Sequence, residues 1–314
     1  MAMTTTTIFG LKVLLSRRRH CVLLVAWALS LCGLSISQEL KRFQPQQPAR
    51  ASEVNDNFAA LASMPMPKPA FRSSPSSTVI TVPATVSTPV RVRFRRIVGG
   101  DSIFRYAQAT SPLAVNLATS GIGGLDTGVI QAASVYYLYI VESQPGAALA
   151  AIASLNPPTV GPINLATTAA WTYLGGFRTA GTPVVIPFIS VNGHYAESAS
   201  VSEFEVNTTS STAMGFQLAV PPHATAVRAR VQLSDGTPIS PPNSSREGRI
   251  GSTATGTLAV VASQFSKAEY CVLEWPLIEE RTIYLSTFGT DPNVVGATLT
   301  FRTLGWSEDP AAFP

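Results

Sequence analysis

Few residues in this 314-residue chain carry chemistry, and they are scattered. Leu125-Asp126-Thr127-Gly128 is a setting in which one aspartate, paired with a second, shares a proton and activates water. The chain holds one such copy, so a working pair would need two chains. Gly123-Gly124 just ahead marks a turn. There an aspartate typically bonds its side chain to nearby backbone. We read Asp126 as a turn residue.

Arg96-Ile97-Val98-Gly99-Gly100 looks like the activation site of a trypsin-like zymogen. That chemistry needs a serine, a histidine, an acid and an oxyanion loop. The histidines beyond residue 20 are His194 and His223, both in loop-like surroundings, and no Gly-Asp-Ser-Gly occurs. Two scattered histidines and the acidic Glu274, Glu279 and Glu280 make no recognisable metal spacing. No phosphate-binding or dinucleotide glycine pattern is present. We expect a non-enzyme with no catalytic residue, no cofactor and no metal. Cys21 and Cys32 lie in an N-terminal apolar stretch, and Cys271 reads as a small core residue.

Aromatic side chains offer binding chemistry instead. Trp171, Tyr173, Trp275 and Trp306 are candidate binding aromatics, able to stack on sugar faces if exposed. The competing role for the same rings is to fill a core.

The elements that must position these residues are strands. From Ile97 onward, Val- and Thr-rich runs alternate with turn chemistry such as Ser234-Asp235-Gly236-Thr237 and Asp291-Pro292-Asn293. In Val227-Arg228-Ala229-Arg230-Val231-Gln232-Leu233 the apolar residues point in and the polar ones out. Ser134–Val141 is apolar or aromatic at both parities, which predicts a central strand covered on both faces. The expected fold is all-β, one or more antiparallel sandwich or jelly-roll modules preceded by a short N-terminal helix and a proline-rich linker.

The order along the chain follows. Residues 1–37 carry Arg17-Arg18-Arg19, then an apolar run of fourteen residues, Cys21 to Leu34. This fits a signal peptide or an anchor and is shorter than the roughly 18–20 residues that span a bilayer. Residues 38–63 form an expected helical attachment segment, with Val54, Phe58 and Leu61 on one face. Residues 64–96 form a Pro/Ser/Thr-rich and basic linker, in which Arg91–Arg96 alternates as a first edge strand or a solvated tether. Residues 97–200 and 201–314 are two expected β units.

Charge divides the chain. Residues 1–105 hold fourteen Lys and Arg against four Asp and Glu, about +10 net. The remainder is about −6, so the basic balance belongs to the N-terminal arm and no nucleic-acid partner is expected for the β module. Charged residues make up only 13% of the chain, which suits a protein of an assembly or an extracellular setting.

Two stretches resemble a known family. Ala51-Ser52-Glu53-Val54-Asn55-Asp56-Asn57-Phe58-Ala59-Ala60-Leu61 resembles a segment near the start of phage tail-fibre-like proteins and of some secreted bacterial proteins. Gly123–Gly128, Val135–Ile140, Trp171–Thr179 and Val185–Phe188, in that order, are similar to a β module of phage virion and tail proteins. The resemblance covers about residues 97–195. It implies a non-enzymatic virion structural protein, a tail-fibre or appendage component for attachment or assembly. Its implied partners are other virion proteins and copies of itself, as a homotrimer, and a host-surface glycan or protein. The alternative reading is a secreted bacterial surface or adhesin-like β protein.

Overall fold

The computed structural model describes Ser52 and residues 66–73, 78–98, 101–144, 146–165, 170–207, 212–235, 245–264, 269–289 and 297–309. The expected N-terminal segment 1–37 lies outside the described residues, as does all of the expected helix 38–63 except Ser52. The strands, in chain order, are β1 (Phe71–Ser73), β2 (Val79–Val82), β3 (Val90–Val98), β4 (Asp101–Ala109), β5 (Leu113–Asn116), β6 (Val135–Glu142), β7 (Leu149–Ser154), β8 (Ala170–Arg178) and β9 (Phe188–Val191). They continue with β10 (His194–Asn207), β11 (Met214–Gln217), β12 (Ala224–Asp235), β13 (Ser245–Gly251), β14 (Leu258–Gln264), β15 (Glu269–Pro276), β16 (Thr282–Gly289) and β17 (Ala297–Glu308). The protein is all-β, and these strands pair antiparallel.

One eight-stranded sheet dominates, in the order β15-β12-β17-β10-β9-β1-β2-β5. A four-stranded sheet (β11-β16-β13-β14), a three-stranded sheet (β7-β6-β8) and the β3-β4 hairpin accompany it. Side chains alternate between faces along a strand and match across strands. Register therefore defines two faces of the large sheet. Trp275, Val227, Trp306, Tyr195, Ser190 and Phe71 are successive partners across six strands, and all are buried. One residue along, Glu274, Arg228, Gly305, Ala196, Ile189, Arg72, Thr81 and Ala114 form a row across all eight. Glu274, Arg228, Ala196, Ile189, Arg72 and Ala114 in that row are exposed.

The covered face is closed by aromatic packing. Phe177 of β8 stacks on Phe188 of β9, centroids 5.8 Å apart. Gly175 lets β8 come close enough that a Cβ there would sit 2.8 Å from Phe71. At the other end of the sheet β14 packs on β12 and β15, and Ile250, Ile283 and Leu285 join the same core as Val227 and Phe301. Each such large side chain contributes about 1.5–3 kcal/mol by leaving water.

The two apolar parities of β6 have separate destinations. Tyr136, Leu138 and Ile140 enter the main core. Tyr137, Tyr139 and Val141 form a second cluster with Ile152 and Tyr173. A strand serving two cores must be apolar on both sides, which is the pattern its sequence shows.

Two expected boundaries differ from the strand layout. Residues 64–96, read as linker, supply β1, β2 and the start of β3, and β1 and β2 lie inside the large sheet between β9 and β5. Pro83 and Pro89 fall between strands, where no ladder N–H is required. The division at residue 200 falls within β10, which runs from His194 to Asn207. The Asn192-Gly193 turn before it has φ of 48° and 82°, the left-handed pair that closes a two-residue hairpin between β9 and β10. The large sheet draws strands from both expected units, and the described β strands all fall within one compact unit, Ile36–Pro314.

Candidate functional site

The candidate binding aromatics lie largely inside the protein. Tyr173, Trp275 and Trp306 are buried, and Trp171 is half-buried, edge-on to Tyr139 with centroids 5.3 Å apart. Trp275 and Trp306 point to the covered face of the large sheet. A sugar cannot stack on them there, so these rings fill the core. The alternation that placed them on strands is symmetric and does not say which face is covered.

Asp126 is a buried loop staple. Its carboxylate accepts from Ser154 Oγ (2.9 Å), Ile163 N (2.9 Å) and Asn164 N (2.8 Å), and Asn164 Nδ2 donates to its carbonyl (3.2 Å). A carboxylate whose lone pairs are taken by backbone and hydroxyl donors fixes a loop. The turn-former role expected for it thus extends to residues far along the chain.

Glu308, at the end of β17, gathers a buried polar cluster. Tyr173 OH donates to Oε2 (2.8 Å), while Trp306 Nε1 and Gly176 N donate to Oε1 (3.0 Å each). His223 Nε2 lies 3.3 Å from Oε2 and 3.0 Å from Tyr173 OH. Tyr173 uses its proton on Glu308, so the imidazole Nε2–H is the donor in this corner. Burial alone would raise the Glu308 carboxyl. Bonds and charge from His223, then bonds from Trp306 and Tyr173, outweigh it and hold the carboxyl below its usual range. Lys68 Nζ sits 4.6 Å from the Tyr173 ring centre, with no hydrogen-bond partner among the described residues. Burial lowers its pKa, with Glu308 and Asp309 opposing. Burial likewise pushes the Tyr137 hydroxyl up to about 12. Four donors converge on one carboxylate, an arrangement that clamps β8, β17 and the loop before β12 together.

Arg178 of β8 makes a second buried clamp. Nε and Nη2 reach the two oxygens of Glu197 at 2.5 and 2.8 Å, and Nη1 pairs with Glu203. Burial works against the cation, but Glu197 and Glu203 more than restore it.

The open face of the large sheet carries the accessible chemistry. On it lie Ile189 (56% exposed), Val191 (53%), Val272 (50%) and Tyr270 (59%). Ser307 Oγ bonds Glu274 Oε1 (2.9 Å) and lies 3.0 Å from His194 Nδ1. With the serine proton on the carboxylate, His194 is left to donate. The order acid–serine–histidine is the reverse of a relay in which histidine takes the serine proton. A groove of about 700 Å³ lies along β1, β9 and β10, lined by Arg72, Thr81, Ile189, Ala196, Glu197 and Ser198 among others. Among the described residues no group of three or more His, Cys, Asp and Glu side chains is placed to hold a metal ion. Glu274, Glu279 and Glu280 have separate partners in Ser307, Tyr284 and Arg281.

No family model, curated protein or solved structure matches this chain.

Sequence reasoning did not single out Tyr270, Arg230 or Arg302. The alternation of Val227–Leu233 already placed Arg228 and Arg230 on the polar side of β12. The position of Arg302 opposite Arg230 depends on pairing across 72 positions of chain, which no local signal carries.

Proposed function

We propose that this chain is a non-enzymatic structural component of a bacteriophage virion, a tail-fibre or appendage subunit acting in attachment or assembly. The observation that carries the reading is the large sheet with one face buried and the other exposed at six of the eight residues of a row that crosses it. The buried face holds the fold. The open face, with Ile189, Val191, Tyr270 and Val272 exposed, is left for a partner. The resemblance of Val135–Ile140 and Trp171–Thr179 to a phage virion module supports the same reading.

In this reading the sheets form a sandwich or jelly-roll head. Copies of the chain assemble as a homotrimer, and several weakly binding heads on one particle gain avidity. The internal positions of Asp126 and Glu308, each saturated by donors, favour structural over catalytic roles.

Mass spectrometry of purified particles tests the proposal. The expected result is this chain at stoichiometric level in virions, with residues 1–37 still attached, and a three-chain mass in light scattering. Recovery only from the medium of host cells, with a mature start just after Ser37, would overturn it in favour of a secreted surface protein.

A further inference from the structure

We infer that Tyr270, Arg230 and Arg302, on the open face of β15, β12 and β17, form a binding site for a carboxylate-bearing sugar. This inference rests on the attachment reading above and names the ligand class for it.

Two arginines stand directly opposite each other. Arg230 of β12 and Arg302 of β17 are register partners. Like charges at opposed positions of an antiparallel pair are destabilising. The Nε of each is buried and has no hydrogen-bond acceptor among the described residues. A buried donor left without an acceptor carries a desolvation cost. An anion lying against the outer ends of the two guanidinia offsets the repulsion, and a carboxylate matches the planar fork of a guanidinium.

Beside the pair is an exposed ring. The Arg230 guanidinium carbon sits 4.2 Å from the centre of the Tyr270 ring, and Tyr270 is 59% exposed. The ring is held by its cation, and its free face is a stacking platform for the apolar face of a sugar. Gln232, in register with Tyr270 and with Thr300, adds amide groups suited to hydroxyls. Arg228 and Glu274, also register partners on this face, add a further cation and acceptor.

Size and charge select the occupant. Strands are spaced about 4.8 Å apart, so β15, β12 and β17 present a patch roughly 10 Å wide. That accommodates one or two sugar rings and is small for a stable protein interface of about 800 Å² per partner. Glu274 stands opposite Arg228 on the same face, and residues 106–314 are net negative. A polyphosphate or nucleic acid requires a longer uninterrupted basic track. A sugar acid needs one anion contact, one ring and several hydroxyl contacts, which this patch provides.

The test is calorimetric titration of the full chain with three probes: oligogalacturonate, inorganic polyphosphate and neutral chito-oligosaccharide. Oligogalacturonate is expected to bind with a dissociation constant below about 1 mM, and the neutral oligomer far more weakly. Arg302→Gln and Tyr270→Ala each lower that affinity by about tenfold or more. Arg302→Lys recovers only part of it, because the charge returns without the fork. Thermal melting of each variant shows that the fold is retained; a variant that fails to fold is replaced by Gln232→Ala, for which weaker oligogalacturonate binding is expected. Unchanged binding in folded variants, binding of polyphosphate in preference to oligogalacturonate, or no binding to oligogalacturonate each overturns the site. Loss of the site with the chain still present in particles leaves the virion reading standing. Sugar binding by a chain absent from particles has the opposite consequence.

Discussion

Tyr195 and Trp306 face each other across β10 and β17 with ring centroids 3.7 Å apart and planes 17° from parallel. Phe188 stacks on the other side of Tyr195 at 4.7 Å, and Phe177 on Phe188. The stack runs from the large sheet into β8. Trp306 also donates to Glu308, so one side chain joins the aromatic core to the buried carboxylate.

Truncating Trp306 removes both connections. Trp306→Ala is expected to cost about 3–5 kcal/mol, and Trp306→Phe less because part of the stack survives. Urea denaturation followed by far-UV circular dichroism measures this as a lower midpoint at similar slope.

Glu308 links the stability of the fold to acid pH. Its folded carboxyl lies below the ordinary 4.5. The stabilisation is therefore complete above that value and is lost as pH falls through the lower folded one. Wild-type stability should fall more steeply with acid, below about pH 5, than that of Glu308→Gln. At neutral pH the substitution should cost about 2–4 kcal/mol, because the donors of Tyr173, Trp306 and Gly176 lose a charged acceptor. Denaturant midpoints collected across pH for both proteins check the sign.

Lys68 works against the fold. Its Nζ is buried with no hydrogen-bond partner among the described residues, and burial lowers its pKa. The unfolded chain holds this proton more tightly, so the penalty is greatest at low pH and is relieved as pH rises through the folded value. Lys68→Met should leave stability unchanged at neutral pH or raise it by about 1 kcal/mol. A lower melting temperature in the variant would show that attraction to Glu308 and Asp309 dominates instead.

Asp126 acts on the loop at residues 163–164. Asp126→Ala should cost about 2–3 kcal/mol, as three donors lose their acceptor. Amide exchange at Ile163 and Asn164 should accelerate selectively. Unchanged protection at both would mean that the carboxylate is not what holds this loop.

Gly305 sits in β17 with φ of 155°, close to a register shift between β12 and β17. A Cβ at this position would run into the Tyr195 carbonyl oxygen. Gly305→Ala should therefore cost about 3 kcal/mol or more, seen as a large drop in melting temperature, since backbone cannot yield as a flexible side chain would.

Local pattern alone determined much of this protein. The all-β class follows from Val- and Thr-rich runs between turn residues. The alternation in Val227–Leu233 and the two apolar parities of Val135–Val141 correctly describe β12 and β6, because a strand's side-chain period is intrinsic to its backbone. Tertiary structure decided the rest. A period of two defines two faces but not which one is covered. That choice buried Trp275 and Trp306 and left Tyr270 and Val272 exposed on the same strand system. It also drew β1 and β2 from an expected linker into the large sheet, and set Arg230 opposite Arg302. Such pairings join segments far apart in the chain, and the hydrogen bonds that fix them are made by a backbone common to every residue type.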